Sequence, residues 1–300
     1  MSGAPVGPAR LRVVTWNIRA AIGPGEPFPP AWWRHVRADR LERIATVLTE
    51  LDADVATLQE VAFMTPDGAV HDQPADLARM TGRHVRYAAV HAFPLVEPDS
   101  QRAIGMASWG NAILTRAPLS DGFARGLRQP ADDDVVETQG AIDPWSGGPH
   151  PLIGVRYADT DPGHRERRCV VGGRLVGPIA ATVATTHLTY IGRAQRRVQA
   201  ADVAATLAER AAADEPAVLT GDFNASIDAP ELADLDGGFV DAFAAVGVST
   251  DDPRRRSNGP QRIDHVRVRG LTVEACRVAT EAGDASDHWP VVADLRLPGD

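Results

Sequence analysis

Apolar, β-branched runs recur along this chain, and each of several ends on a polar residue able to do chemistry. Residues 11–18 read as a buried strand that delivers Trp16-Asn17 at its C-terminal end. Residues 54–58 read as a second, leading to Gln59-Glu60, and residues 179–188 end near Thr186-His187. Residues 216–220 feed Gly221-Asp222-Phe223-Asn224, residues 262–268 carry Asp264, and Asp287-His288 stands just before the run 291–297. Strands in quantity, helices interspersed and no linker between two composition regimes predict one α/β (α+β) domain with sheets as its core. In layered folds of this kind, sites are built at strand ends.

The remaining segments fit that frame. Residues 38–51 place Leu41, Ile44, Ala45, Leu48 and Leu51 at helical spacing, and residues 193–213 place Val198, Ala201, Ala205 and Leu207 on one side. A short helix is expected over 72–82, extended chain over 84–91, and strands over 110–115 and 271–278. Residues 167–175 and 179–188 read as a hairpin around Val176-Gly177-Pro178. Between 118 and 165 the pattern dissolves into Pro, Gly and Asp around Trp145, too long for an ordinary connection, so a functional loop or flap is expected there. Residues 1–10 are expected to be a disordered tail and 11–298 the domain.

The net charge of the 300-residue chain is -9, from 31 basic and 40 acidic side chains. A protein that grips nucleic acid shows a basic footprint, because affinity comes largely from phosphate neutralisation. This balance lowers the expectation of a polymer substrate without excluding one. The two cysteines, Cys169 and Cys276, lie in no zinc-ligand spacing and read as core residues. No secretory signal or membrane-spanning apolar run is visible, so a cytoplasmic monomer is expected.

Gly221-Asp222-Phe223-Asn224 and Ser286-Asp287-His288-Trp289-Pro290-Val291 together suggest metal-assisted phosphoester hydrolysis. Attack of water on a phosphoester needs an acceptor for the water's proton, donors for the phosphoryl oxygens and a cation where charge builds up. Asp, Asn, His and Glu at strand ends supply those parts.

Seven motifs occur in order: Thr15-Trp16-Asn17, Leu58-Gln59-Glu60, Gly110-Asn111-Ala112-Ile113-Leu114, Thr186-His187-Leu188, Gly221-Asp222-Phe223-Asn224, Arg262-Ile263-Asp264-His265 and Ser286-Asp287-His288-Trp289-Pro290-Val291. In that order the chain resembles the endonuclease/exonuclease/phosphatase superfamily over roughly residues 11–297. The resemblance implies a deoxyribonuclease-I-like four-layer α-β-β-α sandwich with two central, mostly antiparallel sheets. It also implies a Mg²⁺- or Mn²⁺-dependent hydrolase that cleaves phosphoesters, phosphodiesters above all, by direct attack of an activated water.

Position by position, the resemblance makes Glu60 the principal metal carboxylate, assisted by Asn17 and Asp287. Asp222 would orient or deprotonate the water, Asn224 would donate to a phosphoryl oxygen, and His187 would bind the phosphoryl group or assist the leaving oxygen. His288 would contact the phosphate with its tautomer held by Asp264. Whether Asp222 or the His288/Asp264 pair takes the proton stays open. Asn111 and Arg193 are candidate substrate contacts. The substrate stays open among small molecules, lipid headgroups and nucleic acid, as do nuclease, small-molecule or lipid phosphatase, and non-catalytic scaffold readings. Ser-Asp-His, where inositol polyphosphate 5-phosphatases tend to carry Ser-Asp-Arg, argues against that branch. Arg254-Arg255-Arg256 reads as a solvated cluster and Trp32-Trp33 as packing under a loop.

Overall fold

The computed structural model describes residues 9–25, 32–128, 167–190 and 192–299. The expectations for residues 1–8 of the tail and for most of the 118–165 loop with Trp145 lie outside the described residues. In chain order the elements begin with β1 (Arg10–Asn17), α1 (Ala38–Glu50), β2 (Val55–Met64), β3 (His71–Asp72) and α2 (Gln73–Thr81). They continue with β4 (His84–Val96), β5 (Ala103–Thr115), β6 (Ser120–Gly126), β7 (Cys169–Leu175) and β8 (Ala181–His187). The last third holds α3 (Arg193–Arg210), β9 (Ala217–Asp222), β10 (Val240–Asp241), α4 (Ala242–Ala245), β11 (Asp264–Arg269), β12 (Thr272–Val278) and β13 (Val291–Arg296).

Two sheets result, one ordered β12-β13-β1-β2-β5-β4 with β3 on β2, the other β10-β11-β9-β8-β7-β6. Among the described strands only β1/β2 and β8/β9 run parallel. A parallel pair needs a crossover, and a helix supplies each, α1 for the first and α3 for the second. Those helices cover the two outer faces. Leu41, Ile44 and Leu48 of α1 pack with Val14, Trp16 and Leu58, while Ala200, Val203 and Leu207 of α3 pack with Val170, Ala184 and Leu219. Between the sheets, Leu11, Val13, Val55 and Ile113 meet Val171, Val183, Val218 and Val266. The architecture is therefore the expected four-layer sandwich. Among the described residues no helix is long and apolar enough to cross a membrane.

Some boundaries differ from the sequence reading. β1 begins at Arg10, inside the expected tail, because Arg10 is in register with Arg296 of β13. β4 and β5 are each 13 residues long. Their outer ends lack a period-2 pattern and are ordered by pairing with each other, from His84↔Thr115 to Val96↔Ala103. Trp32 and Trp33 are buried, Trp32 edge-on to Trp109 at 4.9 Å, while most of the loop expected to cover them lies outside the described residues. Cys169 is buried, whereas Cys276 is half-buried on β12.

Where β9 passes β8, the backbones close up beside the site. Gly221 has φ +142°, and a Cβ there would stand 1.8 Å from the carbonyl oxygen of Thr186. Gly221→Ala must push the two parallel strands apart, and a loss of roughly 3 kcal/mol is expected in chemical denaturation. A loss below about 1 kcal/mol would show that the strands yield freely here.

Candidate active site

Strand alternation decides which side chains face the partner sheet. Leu11 and Val13 face inward, so Thr15 and Asn17 do as well. The same parity turns His187 of β8, Asp222 of β9 and Asp264 of β11 into the space between the sheets. The apolar interlayer gives way near that edge to hydroxyls and an amide. Thr220 Oγ1 donates to Thr57 Oγ1 at 2.7 Å, and Gln59 Nε2 donates to Thr185 Oγ1 at 2.9 Å and Thr15 Oγ1 at 3.2 Å. These polar ties position the strand ends.

Glu60 has the wrong parity for this space. A bulge between Leu58 and Val61 leaves Leu58 and Val61 both on the outer face and turns Glu60 inward with φ 54°. Asn17 Nδ2 then donates to Glu60 Oε1 at 3.0 Å and to Asp222 Oδ2 at 3.1 Å, joining the two sheets through one amide. Asn17 Oδ1 accepts from Arg19 N at 3.0 Å. Asp287 is half-buried and lies 3.4 Å from Arg19 Nε. Left-handed backbone at a non-glycine residue costs roughly 1–2 kcal/mol, and both Glu60 and Asn224 (φ 51°) bear it.

Asp222 is held from both sides. Its Oδ1 accepts from Asn224 N at 2.9 Å, and its Oδ2 lies 3.4 Å from His187 Nε2 and 3.8 Å from His288 Nε2. Asn224 Nδ2 donates to Leu188 O at 2.8 Å and meets His187 Nε2 at 3.0 Å. Since that amide is the donor, Nε2 is the acceptor and the His187 proton sits on Nδ1, 3.9 Å from Glu60 Oε1. His288 Nδ1 donates to Asp264 Oδ2 at 2.8 Å, and Ser257 Oγ donates to the same oxygen at 2.6 Å. Trp16 Nε1 fixes the His288 carbonyl at 2.8 Å, and Ser286 Oγ donates to the Asn17 carbonyl at 2.8 Å.

A model of the Endonuclease/Exonuclease/phosphatase family matches residues 14–288. The chain belongs to this family. Its activity is accordingly of the phosphoester-hydrolase type. Solved structures carry the same deoxyribonuclease-I-like fold. The endonuclease/exonuclease/phosphatase from Beutenbergia cavernae is 25% identical with a TM-score of 0.66, over 97% of this chain and 72% of that one. The human Nocturnin catalytic domain with bound sulfate anion is 16% identical, TM-score 0.64, over 96% of this chain and 94% of that one. A Bacteroides thetaiotaomicron mannosyl-6-phosphatase is 19% identical, TM-score 0.59, over 96% and 100%. No curated protein matches the sequence.

Within this family member, Asn17, Glu60, His187, Asp222, Asn224, Asp264 and His288 meet in one linked cluster, with Asp287 at its side through Arg19. Two candidates have other placements. Asn111 is buried and donates to Cys169 O at 3.0 Å, bracing β5 against β7. Arg193 is exposed as the first residue of α3, and nearby Arg196 pairs with Glu231 at 3.0 Å. Asn224 was expected to donate to a phosphoryl oxygen, but Leu188 and His187 take both its amide hydrogens. The arginine run is solvated only in part. Arg255 is buried, paired with Asp241 at 2.9 Å, and stacked 4.9 Å above the Phe243 ring. Ser257 and Arg19 are site-building residues outside every motif, and Gln59 stood inside one without being singled out.

Burial pushes the Asp222 carboxyl up to about 7, with the Asp264 charge adding to it and His288, Asn17 and Asn224 opposing. For His288, burial disfavours the imidazolium, but the charge and hydrogen bond of Asp264 outweigh it, and the group rises to about 10. His187 is held well below its ordinary value by burial, then by the charges of Arg168 and His288. Burial also raises Glu60, as does the Asp287 charge, against the Asn17 hydrogen bond and Arg168. At neutral pH the site therefore holds one imidazolium, one neutral imidazole and a carboxylate near its midpoint.

Two groups of side chains offer oxygens to a divalent cation. Asp222, Asp264 and His288 each offer an atom within 4.8 Å of the others. In that group, however, the imidazolium form of His288 offers no lone pair. Glu60 and Asp287 supply hard carboxylate oxygens, and Asn17 Oδ1 keeps a second lone pair beside its bond from Arg19. Glu60 is half-buried with one amide donor, and its burial disfavours the bare carboxylate, so a cation fits there better.

Proposed function

We propose that this chain is a divalent-cation-dependent phosphodiesterase in which Asp222 takes the proton of the attacking water. The observation that carries this reading is the placement of Asp222 at the centre of the cluster, poised near neutrality between neutral His187 and protonated His288. A carboxyl with a midpoint near the working pH is a suitable proton acceptor. His288, held protonated by Asp264, is a donor and not an acceptor, so it stabilises a phosphoryl oxygen through Nε2. Asn224 braces Asp222 through its backbone N–H, and His187 in turn holds the Asn224 amide. Glu60 and Asp287, with Asn17 Oδ1, would hold Mg²⁺ or Mn²⁺, which when bound supplies positive charge to the phosphoryl oxygens and acidifies water. The acidic balance of the chain favours a small or lipid-borne phosphoester over a nucleic acid polymer.

The test is hydrolysis of bis-p-nitrophenyl phosphate, p-nitrophenyl phosphate and plasmid DNA with Mg²⁺, Mn²⁺ or EDTA, beside His288→Ala. The expected result is metal-dependent cleavage, fastest on the diester and lost in the variant. Undiminished turnover in EDTA or in His288→Ala would overturn the proposal. Glu60→Gln is expected to raise the Mg²⁺ concentration for half-maximal rate by about 100-fold, measured by metal titration. An unchanged titration would remove Glu60 from the cation site.

A further inference from the structure

Immediately after Asn17 the backbone takes a conformation that L-residues avoid. Arg19, Ala20 and Ala21 have φ of 46°, 49° and 60°, three consecutive left-handed residues with no glycine among them. The turn is tied at every carbonyl. Ala21 N donates to Ile18 O at 2.9 Å, Ile22 N to Arg19 O at 2.9 Å, Gln73 Nε2 to Ala20 O at 2.7 Å and Arg37 N to Ala21 O at 3.2 Å, while Arg40 holds Ile22 O. Ala20, Ala21 and Ile22 are fully buried. Strain of this kind persists only where the surroundings over-determine it, and it concentrates at functional sites. Its product here is the placement of Arg19, whose side chain is 14% exposed. The Arg19 N–H holds Asn17 Oδ1, Nη1 donates to Gly23 O, and Nε stands 3.4 Å from Asp287 Oδ2.

We infer that Arg19 is a built-in counter-charge that competes with a divalent cation for Asp287 and so sets how tightly the Glu60/Asp287 site binds it. The inference rests on the cation reading proposed above. A guanidinium cannot lose its proton at working pH, so its charge is permanent. The bond from Nη1 to Gly23 O and the burial of the side chain restrain it from swinging away. A cation approaching Asp287 meets that fixed charge in a partly desolvated place, where repulsion is stronger than in water. Arg19 thus neutralises Asp287 in the metal-free protein and keeps cation affinity moderate.

The experiment measures Mn²⁺ binding to metal-stripped protein from the free-Mn²⁺ electron paramagnetic resonance signal. Arg19→Met is expected to lower the Kd about tenfold, the scale of removing one nearby charge. Arg19→Gln, which removes the charge but keeps a donor for Gly23 O, must tighten binding likewise and serves if Arg19→Met fails to fold. Arg19→Lys keeps the charge and should stay within threefold of wild type. Ala21→Gly loosens the turn without altering charge, and a shift there as large as that of Arg19→Met would overturn the inference. So would an unchanged or weaker Kd in both Arg19→Met and Arg19→Gln, including the case where only KM rises and Arg19 serves substrate. Binding that Asp287→Asn weakens but neither neutral Arg19 variant tightens would leave the cation reading standing and refute only the counter-charge. Absence of Mn²⁺ binding in wild type would refute both.

Discussion

Asp222→Asn is expected to lower turnover of a phosphodiester by about three orders of magnitude while leaving the fold intact. The substitution is nearly isosteric, and an amide oxygen can still accept the Asn224 N–H that now reaches Oδ1 at 2.9 Å. What it removes is a proton acceptor. The pH profile gives the sharper result. Burial and the Asp264 charge raise Asp222 to about 7, so below that pH the carboxyl is protonated and cannot take the proton of water. Wild-type rate should therefore rise with pH along a limb centred at about 7, or lower when a cation stands nearby. The residual rate of Asp222→Asn should lack that limb. Rate measurements from pH 5 to 9 check both, and near-normal turnover, or the same limb in the variant, would remove Asp222 from the role of base.

The strand-end positions of Asn17, His187, Asp222 and Asp264 were legible in the sequence because each lies at one end of an apolar strand run. Strand alternation then fixes the face, and the two crossover helices fix the layers. Glu60 illustrates a different case. Its motif announced it, yet alternation alone would place it under α1, and only the bulge against β5 turns it inward. Bulges depend on the partner strand, which local sequence does not name. Ser257 and Arg19 were silent for a similar reason. A serine in an Arg-, Gly- and Pro-rich loop looks like a turn residue until Asp264 is seen seven positions on, accepting its hydroxyl at 2.6 Å. The left-handed turn at Arg19 carries no glycine to mark it. Arg255 looked solvated because its counter-ion, Asp241, comes from a separate strand. The placement of Asn111 needed tertiary information too, since its partner Cys169 belongs to the opposite sheet.

Asp264→Asn tests the other half of the chemistry and is expected to lower turnover by about two to three orders of magnitude. The carboxylate is buried, and its Oδ2 accepts from both His288 Nδ1 and Ser257 Oγ. An amide oxygen can keep those hydrogen bonds but not the negative charge. For His288, burial opposes the charged ring, and Asp264 is the main reason the group nonetheless reaches about 10. With that charge gone, burial opposes the imidazolium while only Asp222 and Asp287 still favour it, and His288 should titrate well below about 10. The ring is then charged over a narrower pH range and offers a phosphoryl oxygen less of the charged donor it would otherwise present. Nuclear magnetic resonance titration of His288 in the metal-free proteins checks the first step, and turnover checks the second. A ring that stays protonated through pH 8 in the variant would break the link between Asp264 and the charge of His288. A rate that rose as His288 became neutral would make the imidazole the proton acceptor, and Asp222 would then be left to orient the water.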